Sequence, residues 1–259
     1  MKQRAYFLTT LLFFQLALSV FVGLLPNEPL RRLAMLGVML LPLSLLSRAP
    51  KPIPHPPLRP AKGAVPLLLL LPAFVLAVAA LSIGWGKLAA LVGITLRGAE
   101  PVRPLALAIL LDAAVPAVGE ELFARGAVLG ILRPHGRRTA VFGSALIFAL
   151  MHASLAQIPY AFLAGLLLGM LREVSGGLLL PILFHFTTNL FSLLLLFGAP
   201  PLPLFIGLAA CAALGLLLLL RIRPRLIPEV AATASGGIRE LLLSPLLLWI
   251  AVILAITML

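Results

Sequence analysis

Long apolar runs separated by short basic clusters constrain this chain more than any other feature. They cover roughly 5–25, 33–47, 64–83, 104–132, 139–154, 157–171, 178–197, 202–220 and 241–259. About 20 apolar residues in a helix, at 1.5 Å each, cross the ~30 Å hydrocarbon core of a bilayer. Lipid offers no hydrogen bonds, so a spanning segment must pair its own backbone groups, as a helix does. The expected fold is therefore all-α: a polytopic transmembrane helix bundle of about eight or nine spans. Hydrophobic residues make up 62% of the chain and charged residues 11%, with a mean hydropathy of +1.16. A soluble domain carries about 25% charged residues. These values exclude a soluble globular enzyme, a disordered chain and a nucleic-acid-binding domain.

The formal charge is +12 and the sequence pI near 11.5. In a soluble protein that balance would suggest nucleic acid as partner. Here the basic residues sit at the ends of apolar runs, where they set orientation and meet anionic lipid headgroups. With nine spans and a cytoplasmic N-terminus, inside loops hold fourteen Lys and Arg. Outside loops hold five: Arg31, Arg32, Lys87, Arg97 and Arg103. Arg125 lies within a span. That bias obeys the positive-inside rule. The run after Met1-Lys2-Gln3-Arg4 is too long for a signal peptide and reads as an uncleaved first span. Runs 33–47 and 157–171 are short, and 104–132 is overlong. Pro116 and Gly119 predict a tilt or kink in the latter. Six prolines between Arg48 and Lys62 predict a semi-rigid cytoplasmic loop, with His55 solvated in it. The single cysteine, Cys211, permits neither an internal disulfide nor a Cys-based zinc site and reads as packing.

Ionisable groups are costly in hydrocarbon, so each embedded one is a functional candidate. Glu28, Glu100, Glu173, Glu229 and Glu240 fall in loops or at span ends, and His55 and His135 in loops. The embedded set is Asp112, Glu120, Glu121, Arg125, His152, His185 and Asn189. Asp112 receives no assignment. The others form three short patterns: Glu120-Glu121-x-x-x-Arg125, Phe148-x-x-x-His152 and His185-x-x-x-Asn189. Outer members four residues apart share a helix face. Glu121 and Arg125 can then form an ion pair, and His185 and Asn189 can address one spot. Glu120, rotated by about 100° from Glu121, faces elsewhere. Counted from the cytoplasmic ends, Glu120 and His152 lie at about 18 and 20 Å, His185 and Asn189 at about 11 and 17 Å.

Glutamate, two histidines and asparagine at similar depth suit peptide-bond hydrolysis. A buried glutamate can act as general base on water, and a histidine can hold that water or shuttle its proton. A second histidine and an amide can hydrogen-bond a developing oxyanion. An aspartyl dyad is excluded because Asp112 is the only aspartate. The His-Glu-x-x-His pattern of zincins is absent. Ser144, two turns from His152 and outside a Gly-x-Ser-x-Gly setting, reads as a packing residue rather than a nucleophile.

These motifs resemble the CPBP family of CAAX prenyl endopeptidases and bacteriocin-processing or self-immunity (Abi) proteins. Its hallmarks are Glu-Glu-x-x-x-Arg, Phe-x-x-x-His and His-x-x-x-Asn (or Asp) on successive membrane helices, and all three occur here in order. The match covers roughly 119–190 within a core of 64–220. Residues 1–63 would then be N-terminal spans and the Pro-rich loop, and 221–259 a basic loop and last span. The resemblance implies a glutamate-dependent intramembrane endopeptidase without a cofactor. Glu120 would activate water with help from His152, and His185 and Asn189 would form the oxyanion hole. Glu121 and Arg125 would support the site, and Phe148 would pack or line it.

Two alternatives stand beside this reading. Glu120 or Glu121 with His152 and His185 is also a two-His, one-carboxylate set that suits zinc. Embedded Glu and His also serve proton relays, and a non-catalytic immunity or scaffold role needs no chemistry. No inverted repeat supports transport. Expected partners are membrane lipid and a protein or peptide substrate: a prenylated C-terminus, a leader peptide or a C-terminal sorting tag. A chain rich in Ala, Leu, Pro and Arg and poor in Lys suggests a GC-rich prokaryotic genome, hence an inner (plasma) membrane. That makes a precursor peptide or sorting tag a better guess than a prenylated protein.

Overall fold

The computed structural model describes residues 70–94, 104–152 and 154–198 without a break, with scattered positions in 7–38, Leu68, and scattered positions in 203–217. All regular structure among the described residues is helical. The elements are α1 (Leu71–Leu91), α2 (Leu105–Ala108), α3 (Val115–Glu121), α4 (Leu129–Leu132), α5 (Arg137–Leu150), α6 (Ile158–Ser175) and α7 (Leu179–Phe197). Two π-helical segments, Ile109–Ala114 and Leu122–Val128, separate α2, α3 and α4, and a 3₁₀ turn, Arg133–His135, precedes α5. Helices α1, α6 and α7 are long and apolar enough to cross a membrane. The first span, runs 33–47, 202–220 and 241–259, the Pro-rich loop, Cys211 and both domain boundaries fall wholly or mostly outside the described residues.

Several boundaries differ from the hydropathy reading, because backbone pairing rather than hydropathy ends a helix. Helix α1 continues past Leu81 through Gly84, Trp85, Gly86 and Lys87 to Leu91. The run expected over 139–154 is helical only over Arg137–Leu150. At 14 residues that helix rises about 21 Å, less than the hydrocarbon thickness. The irregularity expected in 104–132 takes the form of two π segments. Proline lacks an N–H, and its ring meets the carbonyl four residues earlier in an α-helix. For Pro116 that carbonyl belongs to Asp112, inside the first π segment. Widened turns of this kind accommodate proline in membrane helices.

The chain divides into two compact units, each assembled from separate stretches of sequence. Among the described stretches, one unit contains 70–94, 104–121 and 167–198. In it α7 packs against α1, the first π segment and α3. Phe184 of α7 meets Phe74 of α1 edge to face, with ring centroids 5.4 Å apart. Pro181 is tolerated in the first turn of α7, where backbone N–H groups have no helical partner. Thr187 and Thr188 donate their hydroxyls to the carbonyls of Leu183 and Phe184, each at 2.8 Å, which satisfies polar groups within an apolar helix.

The other unit contains 122–152 and 154–166, and Leu11 among the scattered positions. The second π segment and α4 pack on α5. Phe123, Val128, Leu129, Leu132, Ile147 and Phe148 form the centre of its core. The chain turns into α5 at Gly136, whose φ of +102° is a conformation that side chains with a Cβ disfavour.

Candidate active site

Three of the candidate residues meet in the first-described unit. Glu120 and Glu121 end α3, just before the second π segment. His185 lies in the second turn of α7, and Asn189 follows one turn later in uninterrupted α-helix. His185 stands against both glutamates. Its Nδ1 is 2.9 Å from Glu121 Oε1, and its Nε2 is 3.8 Å from Glu120 Oε2. Glu121 is fully buried and His185 is 7% exposed. A carboxylate can only accept, so Nδ1–H donates to Glu121. In the neutral ring that leaves the lone pair on Nε2, facing Glu120 beyond hydrogen-bond distance. The helix spacing of His185 and Asn189 is as expected. Adjacent glutamates facing different ways, as their rotation predicts, here address two nitrogens of one ring.

Arg125, Phe148 and His152 meet in the second-described unit. Arg125 is in the second π segment and fully buried. A buried guanidinium requires compensation for its lost hydration. Arg125 Nη2 donates to the Gly165 carbonyl at 3.0 Å, and its Cζ lies 4.3 Å from the centroid of the Phe148 ring. Desolvated cation–π contacts contribute about 2 kcal/mol. Phe148 also meets the His152 ring edge to face, with centroids 4.9 Å apart and planes at 78°. Glu121 and Arg125 belong to different units, and the ion pair between them remains an expectation.

The structure corrects the setting of His152. The Phe148–His152 spacing does not lie wholly on a helix, because α5 ends at Leu150 and His152 occupies the turn beyond. The chain leaves the helix through a tightened bond from His152 N–H to Ala149 O at 3.2 Å. The side chain returns to the helix end: Nδ1–H donates to the Phe148 carbonyl at 2.7 Å, so Nε2 is the basic nitrogen of the neutral ring. Depth counts at α-helical rise therefore do not apply to His152. They do not apply to Glu120 either, since the segment counted from Leu132 includes a π stretch.

Two residues were missed by the sequence reading. Gly165 reads only as a small residue in an apolar run. A Cβ built on it would lie 3.1 Å from both Ala145 Cα and Ala145 Cβ and 3.3 Å from Arg125 Nη2. A side chain there would oblige Ala145 or Arg125 to give way by a few tenths of an ångström, so glycine favours the close approach of α6 to α5. Small residues at such crossings were the available signal. Glu173, assigned to a span end, is fully buried in the last turn of α6. Ser144 is also fully buried, with its hydroxyl donated to the Val141 carbonyl at 3.1 Å. Among the described residues, no group of three or more His, Cys, Asp or Glu is arranged to hold a metal ion.

Glu120, Glu121 and His185 thus cluster in one unit, and in the other His152 is held with Nε2 as its basic nitrogen. Residues 102–191 match the family profile described as Rce1-like, type II CAAX prenyl endopeptidase. Over those residues the chain carries an Rce1-like domain, similar to the type II CAAX prenyl endopeptidases of the CPBP (Abi) family. No curated protein and no solved structure matches the chain.

Proposed function

We propose that this chain is an intramembrane endopeptidase that hydrolyses a peptide bond of a membrane-associated or C-terminally tagged protein or peptide precursor. The observation that carries the reading is His185 held between Glu120 and Glu121, buried in a helical unit of a domain whose family consists of prenyl endopeptidases. Glu120 takes a proton from water, with His152 as the second group on that water. The water oxygen attacks the carbonyl carbon. His185 and Asn189 hydrogen-bond the oxygen that gains charge, and Glu120 returns the proton to the departing amine. His185 can donate from Nε2 only with both ring nitrogens protonated, and the Glu121 carboxylate then balances its charge. No metal takes part.

The same reading sets the chain in a prokaryotic plasma membrane with about nine spans and a cytoplasmic N-terminus. The catalytic core is 64–220. The family's name makes a prenylated C-terminus one substrate class to test, beside leader peptides and sorting tags.

The test compares protein termini in native-host membranes, wild type against Glu120→Ala at matched expression. Defined termini that vanish in the variant, and also in His152→Ala, are the expected result. Unchanged termini beside a phenotype on deletion overturn the protease reading in favour of a non-catalytic role.

A further inference from the structure

We propose that Arg125 positions His152 through the ring of Phe148. The inference rests on the proteolytic reading for its functional consequence, but its geometry stands independently. His152 lies beyond the end of α5, so no regular helix holds its ring. Two contacts with Phe148 bear on it. The Phe148 carbonyl accepts from Nδ1 at 2.7 Å and fixes the tautomer. The Phe148 ring meets the imidazole at 78° and 4.9 Å and fixes its plane. Phe148 is in turn covered by the guanidinium of Arg125, 4.3 Å from its centroid. Arg125 is tied to the Gly165 carbonyl, and Gly165 lies against Ala145, one turn before Phe148 on α5. The second π segment and α5 thus meet at one aromatic ring, and α6 holds the guanidinium that covers it.

This arrangement gives the two motifs a shared purpose. A carbonyl bond alone would set which nitrogen of His152 is basic while leaving the ring free to tilt about it. An aromatic face pinned by a buried cation removes that freedom. A leucine at 148 would fill similar space, but it has no negative face for the guanidinium and no flat surface for the imidazole. Arg125 and Phe148 are therefore positioning residues that act through His152.

The test must separate this role from packing, because Arg125→Met removes a buried charge and can prevent folding. Fluorinated phenylalanines at position 148 weaken the cation–π attraction stepwise while nearly preserving shape. Monofluoro, trifluoro and pentafluoro variants are compared by the mature-to-precursor ratio of the protein whose terminus depends on Glu120. They are also compared by ¹⁵N signals of the histidine rings in detergent, with His152 assigned through His152→Gln. The expected result is a stepwise fall in cleavage, about tenfold or more for pentafluoro. The protein stays folded, its unfolding temperature falling only as the cation–π contact weakens, and the His152 ring signals shift or broaden while those of His185 stay in place.

Pentafluoro cleavage within about twofold of native, or unmoved His152 signals, overturns the proposal. Failure of the proteolytic reading is seen separately, as termini indifferent to Glu120→Ala. In that case the ring signals still decide whether Arg125 and Phe148 position His152.

Discussion

His185 turns Nδ1 toward Glu121 at 2.9 Å and Nε2 toward Glu120 at 3.8 Å, so consecutive glutamates address opposite nitrogens of a single ring. Glu121 accepts the Nδ1 proton and thereby determines which nitrogen Glu120 meets. The pair is an acceptor-and-ring arrangement of the kind that orients a histidine for chemistry.

Glu121→Gln tests that relationship at nearly constant shape. An amide carries no charge to balance the doubly protonated His185 ring that donation from Nε2 requires. A carboxylate-to-amide change behind a catalytic histidine lowers turnover by roughly 10⁴ elsewhere. A loss of about 100-fold or more in the mature-to-precursor ratio is expected here, with partial recovery in Glu121→Asp. Ring ¹⁵N spectra should show the His185 Nδ1 signal shifting while the His152 signals stay in place. Full cleavage in Glu121→Gln would refute the orienting role.

Ser144→Ala should leave cleavage within about threefold of native, because the hydroxyl is buried and given to the Val141 carbonyl. Its cost to stability should be about 1 kcal/mol, the usual net value of one such bond. Terminus analysis and thermal unfolding on the same sample measure both. Complete inactivation would reopen a serine mechanism.

Gly165→Ala should destabilise the protein by about 1–3 kcal/mol, the usual range for overpacking. The new methyl group would crowd backbone as well as side-chain atoms of Ala145 and press on Arg125 Nη2. Backbone cannot rotate away as a flexible side chain can. Unfolding temperature in detergent is the direct measure, with Gly165→Leu expected to prevent folding. An equally stable Gly165→Ala would show that α6 can withdraw from α5.

Thorough chelation should leave cleavage unchanged. In the proposed mechanism Glu120 activates the water without a metal ion. Washed membranes treated with a strong chelator and assayed for the Glu120-dependent terminus give the answer. Activity lost on chelation and restored by zinc would favour the two-His, one-carboxylate alternative.

The embedded residues were legible because ionisable groups are rare in apolar runs. Glu120, Glu121, Arg125, His152 and His185 could be picked out by type alone. The His185–Asn189 register was legible too, since it lies in regular helix. The register around Arg125 was not, because a π segment alters the spacing between neighbouring faces, and hydropathy carries no trace of it. The exit of the chain before His152 was hidden for a similar reason. Met151 and Ala153 extend the apolar run, while the backbone has already left the helix at Leu150.

By itself the sequence determined that the chain is helical and membrane-embedded, and which side chains are available for chemistry. Hydropathy and helical periodicity act locally, over about one to five turns. Tertiary structure alone decided which nitrogen of His185 meets which glutamate, what holds the Phe148 ring, and why residue 165 is glycine. The His185–Glu121 bond joins residues 64 apart, and the Arg125–Gly165 bond residues 40 apart. No local period connects positions so distant; only the packing of one helix against another brings their atoms within reach.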